Sequence, residues 1–89
     1  MPPRFTMGRL LATPGAIDAF NGDSFWPYIT RHSQGDWGEI SEEDKAENEF
    51  SLKHGFRLLS AYTIPNGCKI WIITEADRSA TTILLPEEY

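Results

Sequence analysis

Arg57-Leu58-Leu59-Ser60-Ala61-Tyr62-Thr63-Ile64, Pro65-Asn66-Gly67, Cys68-Lys69-Ile70-Trp71-Ile72-Ile73-Thr74 is the most informative run in the chain. Two segments rich in β-branched and aromatic residues flank Asn-Gly, the dipeptide that most readily takes the type I′ turn whose twist matches a hairpin. The run predicts antiparallel strands from Arg57 to Ile64 and from Cys68 to Thr74. With Asn66-Gly67 as a two-residue loop, Tyr62 falls opposite Trp71 and Ala61 opposite Ile72, and opposite residues share a face. One face then carries Leu59, Ala61, Ile70 and Ile72, the other Tyr62, Ile64, Trp71 and Ile73. Both faces are apolar, so either other elements of the chain cover both or one face receives a partner.

Downstream, a second reversal at Glu75-Ala76-Asp77-Arg78-Ser79 leads into Ala80 to Leu85, and Pro86 ends the third strand of a meander. Upstream, Ser41-Glu42-Glu43-Asp44 nearly matches a capping box and predicts a helix from there to His54, with Gly55 as its left-handed cap. Ala46, Phe50 and Leu52 are its only apolar stripe. Ser33 to Gly38 reads as a loop. Phe25, Tyr28, Ile29 and His32 recur at helical spacing behind Asp23 or Ser24 as cap, which requires Pro27 in the first turn. Thr13 caps a further short helix, Pro14 to Phe20, and Phe5 to Ala12 alternates as a strand interrupted by Arg9. The expected fold class is α+β: one domain over residues 1–89, an antiparallel sheet with a C-terminal three-stranded meander, an N-terminal strand, and two or three short helices packed on it.

The net charge of −5 is concentrated in one place. Residues 1–38 and residues 50–89 each sum to zero, whereas Glu39, Glu42, Glu43, Asp44, Glu47 and Glu49 face only Lys45. Such a segment repels polyanions, so direct binding to nucleic acid is not expected. No apolar run is long enough to cross a bilayer, and the N-terminus lacks a signal peptide's apolar stretch. The single cysteine, Cys68, fits a reducing compartment, and cytoplasm is the expected location.

His32, Asp36, Glu75, Asp77 and Arg78 are the candidates for a reactive cluster. His32 can act as a base near neutral pH with Asp36 orienting it, and Glu75 and Asp77 can share a proton or hold a cation. The structural alternatives place His32 at the C-terminus of its helix and Asp36 in a turn of Gly35-Asp36-Trp37-Gly38, bonded to backbone N–H groups. Ser60 lacks a nucleophile elbow, Cys68 has only Lys69 to lower its pKa, and no glycine-rich phosphate loop is present. Neither a metal nor a cofactor is expected. The binding candidates are Tyr62, Trp71 and Ile73 on one sheet face, Arg78 at the second reversal, and Glu43 and Glu47 on the acidic helix. A DNA-mimic role for that helix is disfavoured by its short array of acids.

Five stretches resemble a family of small uncharacterised proteins of bacterial plasmids and other mobile elements, some labelled as subunits of type I restriction systems. They are Ala12-Thr13-Pro14-Gly15-Ala16, Gly35-Asp36-Trp37-Gly38, Leu59-Ser60-Ala61-Tyr62, Ile70 to Arg78, and Thr81 to Tyr89. The resemblance implies a bacterial accessory protein and transfers no catalytic residue; the chain has no room for a methyltransferase. The expected function is a non-enzymatic binding or regulatory module acting on a protein partner or as a homodimer. The alternatives are a small hydrolase or nuclease using His32 with Asp36, Glu75 or Asp77, and a structural subunit of a larger complex.

Overall fold

A computed structural model describes residues 2–89. The elements run β1 (Arg9–Ala12), α1 (Pro14–Phe20), α2 (Trp26–Ser33), α3 (Glu42–His54), β2 (Leu58–Thr63), β3 (Lys69–Thr74), β4 (Ala80–Leu84) and a short 3-10 turn at Pro86–Glu88. The four strands form one sheet in the order β1-β4-β3-β2. The α+β class and the C-terminal meander are as expected. The sheet, however, is mixed, because β1 joins β4 in parallel. The three helices carry the chain from β1 across to β2 at the far edge of the sheet, and the two antiparallel reversals β2–β3 and β3–β4 then bring β4 back beside β1 in the same direction.

β1 is also shorter than the expected Phe5 to Ala12. Gly8 adopts φ 65° against the backbone of Ser79, where a Cβ would come within 2.4 Å of the carbonyl carbon, so the chain bends there and only glycine fits. Phe5 is left to pack its ring against His32 and Trp37, with centroids 5.3 and 6.2 Å apart.

The β2–β3 hairpin forms where expected, but its register differs by one residue. Ala61 pairs with Trp71 and Tyr62 with Ile70, which sends Tyr62 and Trp71 to opposite faces. The reason is Pro65. A two-residue loop needs the residue before Asn66 to donate its N–H to Cys68, and proline has none. The Ile64 N–H donates to the Cys68 carbonyl instead, at 2.9 Å, and Pro65-Asn66-Gly67 becomes a three-residue loop with Gly67 at φ 91°.

The corrected register defines two faces. Leu58, Ser60, Tyr62, Ile70, Ile72, Thr74, Thr81 and Ile83 share one side, and Tyr62, Ile70, Ile72 and Ile83 meet Ala16, Phe20 and Ile29 of α1 and α2 in the main core. Leu59, Ala61, Trp71, Ile73, Thr82 and Leu84 share the other. There Ala61, Ile73 and Leu84 are buried, and the Tyr89 ring packs on Trp71 with centroids 5.7 Å apart. No helix among the described residues is long and apolar enough to cross a membrane.

The ends of α1 and α3 follow the sequence closely, whereas α2 starts behind Phe25, which makes no side-chain cap bond, not behind Asp23 or Ser24 as cap. Thr13 and Ser41 accept from the N–H groups of Ala16 and Asp44, and Gly55 closes α3 in the left-handed conformation. What α3 buries was not expected: Asn48 and Ser51 are buried, whereas Ala46 and Phe50 are exposed, Phe50 stacking on Phe56 at 5.9 Å. α3 lies against β2, the last strand of the sheet, where unpaired peptide groups require hydrogen-bonding side chains rather than apolar ones.

Candidate functional site

The sheet has two edges, and the chain handles them differently. At β2 the outward peptide groups are those of Leu59, Ala61 and Thr63. The Asn48 amide donates to the Leu59 carbonyl at 2.7 Å and accepts from the Leu59 N–H at 3.1 Å, reproducing a strand's pairing from a helix. Ala61 donates to the Trp37 carbonyl and accepts from the Glu39 N–H at 2.7 Å, with Gly38 bridged in parallel against it. Gly38 sits so close that a Cβ would meet the Ala61 oxygen at 2.0 Å. The Glu39 carboxylate accepts from both the N–H and the hydroxyl of Thr63, at 2.9 and 2.8 Å, and lies 3.9 Å from the Lys69 ammonium. The 36–40 segment is anchored in turn: Tyr62 donates its hydroxyl to the Asp36 carbonyl at 2.5 Å, and the Trp37 indole donates to Glu49, which also takes a two-pronged bond from Arg4.

At β1 the arrangement is open. Arg9 and Thr13 donate their N–H groups to Ser79 and Ile83 of the β4 side, both at 3.0 Å. Residues 9, 11 and 13 therefore face β4, and the peptide groups of Leu10 and Ala12 point outward. Around them Leu10 is 46% exposed, Leu11 40% and Trp26 61%. Leu10, Ala12, Phe25, Trp26, Ile29 and Ile83 line a shallow groove of about 300 Å³ beside the strand. Arg9, exposed at its start, makes no ion pair or side-chain hydrogen bond among the described residues.

Beneath the helix-covered face of the sheet, from β2 across β3 to β4, runs a buried polar series. Thr81 donates its hydroxyl to the Met7 carbonyl at 2.7 Å, so the 2.7 Å bond between Thr81 and Thr74 must use the Thr74 hydrogen. Thr74 then accepts from His32 Nε2 at 2.9 Å, which fixes His32 as the Nε2–H tautomer. Its bare Nδ1 accepts from the Ser60 hydroxyl at 2.5 Å. Burial, with a smaller contribution from the Arg78 charge, pushes the His32 pKa down to about 3. The imidazole is fully buried, neutral and bonded at both nitrogens.

His32 and Asp36 do not form a pair. Arg31, one residue earlier, takes the Asp36 carboxylate at 2.7 Å and holds its pKa below the usual carboxylate range. Asp77 accepts from the Ser79 N–H in its own turn, and Glu75 is exposed, its peptide groups used in the same reversal. Arg78, at φ 63°, donates to the carbonyls of Phe56, Glu75, Ala76 and Ser51; the last of these ties it to the C-terminal turn of α3. Its guanidinium is committed to these carbonyls within the fold. Tyr62 is 1% and Ile73 5% exposed, so neither lines a docking face, and Trp71 is half-buried under Tyr89. Glu43 and Glu47 are exposed on α3. Cys68 is exposed at the hairpin tip. No group of three His, Cys, Asp or Glu placed to hold a metal ion occurs among the described residues.

Sequence reasoning missed Asn48, Glu39, Glu49 and the open β1 edge. An asparagine in mid-helix, where it is a poor former, was the one signal available for the first. These features define an α+β domain whose sheet is closed along β2 and open along β1. Comparison with protein-family models, with curated proteins and with solved structures finds no match for the chain.

Proposed function

We propose that this chain is a non-enzymatic binding module that receives an extended strand on the β1 edge. One observation carries the reading: every outward N–H of β2 is bonded by the chain itself, whereas Leu10 and Ala12 present theirs beside an apolar groove. Isolated domains blunt their edges with charges, prolines, bulges or cover, and a bare edge next to exposed apolar side chains is suited to strand addition. The free cation Arg9 favours an apolar strand that brings a carboxylate to that end. The docking surface thus moves from the Tyr62 and Trp71 face to the opposite edge of the sheet from α3.

A hydrolase or nuclease reading loses its support, because His32 is buried with both nitrogens bonded and Asp36 is held by Arg31. The setting of an accessory protein of a bacterial plasmid or mobile element, linked to restriction, rests on the sequence likeness, and a cytoplasmic location on the single cysteine, Cys68. A structural subunit of a larger complex would use the same edge.

Selection from a displayed random-peptide library against the folded chain tests the proposal. The expected peptides alternate apolar and other residues, lose binding to the Leu10→Pro variant and keep it to Glu47→Lys. Leu10 spends no N–H in the chain's own ladder, so proline there leaves the parallel pairing intact. Peptides that bind Leu10→Pro undiminished, or the absence of any enriched peptide, would overturn it.

A further inference from the structure

We infer that the strand received at β1 is β1 of a second copy of this chain, paired antiparallel about a two-fold axis through Leu11. The inference rests on the edge being a docking site and adds the identity of its occupant. The spacing of the outward groups is self-complementary. Leu10 and Ala12 flank Leu11, so a two-fold rotation there sets Leu10 of each copy opposite Ala12 of the other. Each of these two pairs exchanges two N–H···O bonds, joining two four-stranded sheets into one of eight strands.

Side chains agree with this register on both faces. On the helix side the small Ala12 of one copy receives the larger Leu10 of the other, within the groove that includes Phe25 and Trp26. On the reverse side Leu11 meets Leu11 at the axis, removing exposed apolar surface from both copies.

Charge gives the most specific support. The same register places Arg9 opposite Thr13 of the second copy. The Thr13 hydroxyl donates to Glu88 Oε1 at 2.6 Å, so the Glu88 carboxylate stands at the spot that Arg9 reaches. Within one copy that carboxylate bonds only neutral groups, the Thr13 hydroxyl and the N–H groups of Gly15 and Leu85, and Arg9 has no anion. The rotation pairs the two, twice over. The segment that carries the net charge of −5 borders β2, at the sheet edge away from the axis, which keeps the two acidic regions apart.

Sedimentation of the full chain from about 1 µM to about 1 mM tests the inference, a range in which a weak to moderate dimer of this kind shows its midpoint. The expected result is a concentration-dependent rise from 10.1 kDa to twice that mass. Leu11→Lys, which sets two ammonium groups face to face, and Leu10→Pro should stay monomeric throughout. Arg9→Glu should move the midpoint up by about tenfold and reverse its dependence on salt, since the attraction to Glu88 becomes a repulsion that salt screens. Circular dichroism and melting of the variants, matched to dilute wild type, show that they fold. A single 10.1 kDa species at the highest concentration, or a dimer unchanged in Leu11→Lys and Leu10→Pro, would overturn the inference. Should the chain stay monomeric while library peptides still bind wild type and not Leu10→Pro, the docking edge stands and only the second copy falls.

Discussion

The two edges of one sheet are built by opposite means. β2 is finished from two places in the chain, the Trp37 to Glu39 segment with the Glu39 carboxylate, and the Asn48 side chain on α3. β1 ends in peptide groups that no backbone group among the described residues bonds, with leucines to either side. The difference teaches that the chain has ample means to seal an edge and applies them to one alone. Among the described residues its protection is a length of four residues and the charge of Arg9 at its start.

The largest expected effect concerns what lies under the helix-covered face. His32 has a folded pKa near 3 against an ordinary value of 6.5, so the unfolded chain takes up a proton first as the pH falls. Stability is therefore complete above pH 6.5 and lost on descending toward 3, by about 3 kcal/mol between pH 7 and pH 4. The carboxylates of Asp36 and Glu49, whose pKa values are depressed by Arg31 and Arg4, add to the loss only below the usual carboxylate range. Urea midpoints at pH 7, 5.5 and 4 measure it; a flat profile above pH 5 would remove His32 as a buried neutral group.

Asn48→Ala should cost about 2–3 kcal/mol, since it strands a donor and an acceptor of Leu59 with little access to water. Denaturant melts give the number, and amide exchange at Leu59 should accelerate with it. Glu39→Gln, at an exposed pair with Lys69, should cost no more than about 1 kcal/mol, because it keeps a hydrogen-bond acceptor for Thr63. Leu10→Thr on the open side should change the stability of dilute protein by less than about 0.5 kcal/mol. A loss above 1 kcal/mol there would mean that the β1 edge is covered after all, erasing the contrast.

Much of the fold was legible from local chemistry. Ser41 with its following acids and Gly55 fixed both ends of α3, and Thr13-Pro14 fixed the start of α1. Asn66-Gly67 located the hairpin, but the register turned on a missing N–H at Pro65, one residue outside the motif. The parallel entry of β1 was illegible because its partner lies some seventy positions downstream, and nothing in four residues encodes which side of a sheet they join. The candidate site failed for a similar reason. His32 and Asp36 lie four positions apart, yet the helix turns His32 into the core and leaves Arg31 facing the carboxylate. Asn48 reads as one more polar residue on an acidic helix until the strand beside it is known.

The hydroxyl and imidazole series that crosses from β2 through β3 to β4 ends on one peptide oxygen, that of Met7. That oxygen is the only acceptor in the row that cannot also give a hydrogen, so it orients every member behind it, back to Ser60. Lifting residues 4–8 from the sheet would release Thr81, and the whole row would be free to reverse, moving the proton of His32 from Nε2 to Nδ1. Imidazole nitrogen shifts thus double as a gauge of whether the chain's first residues are seated.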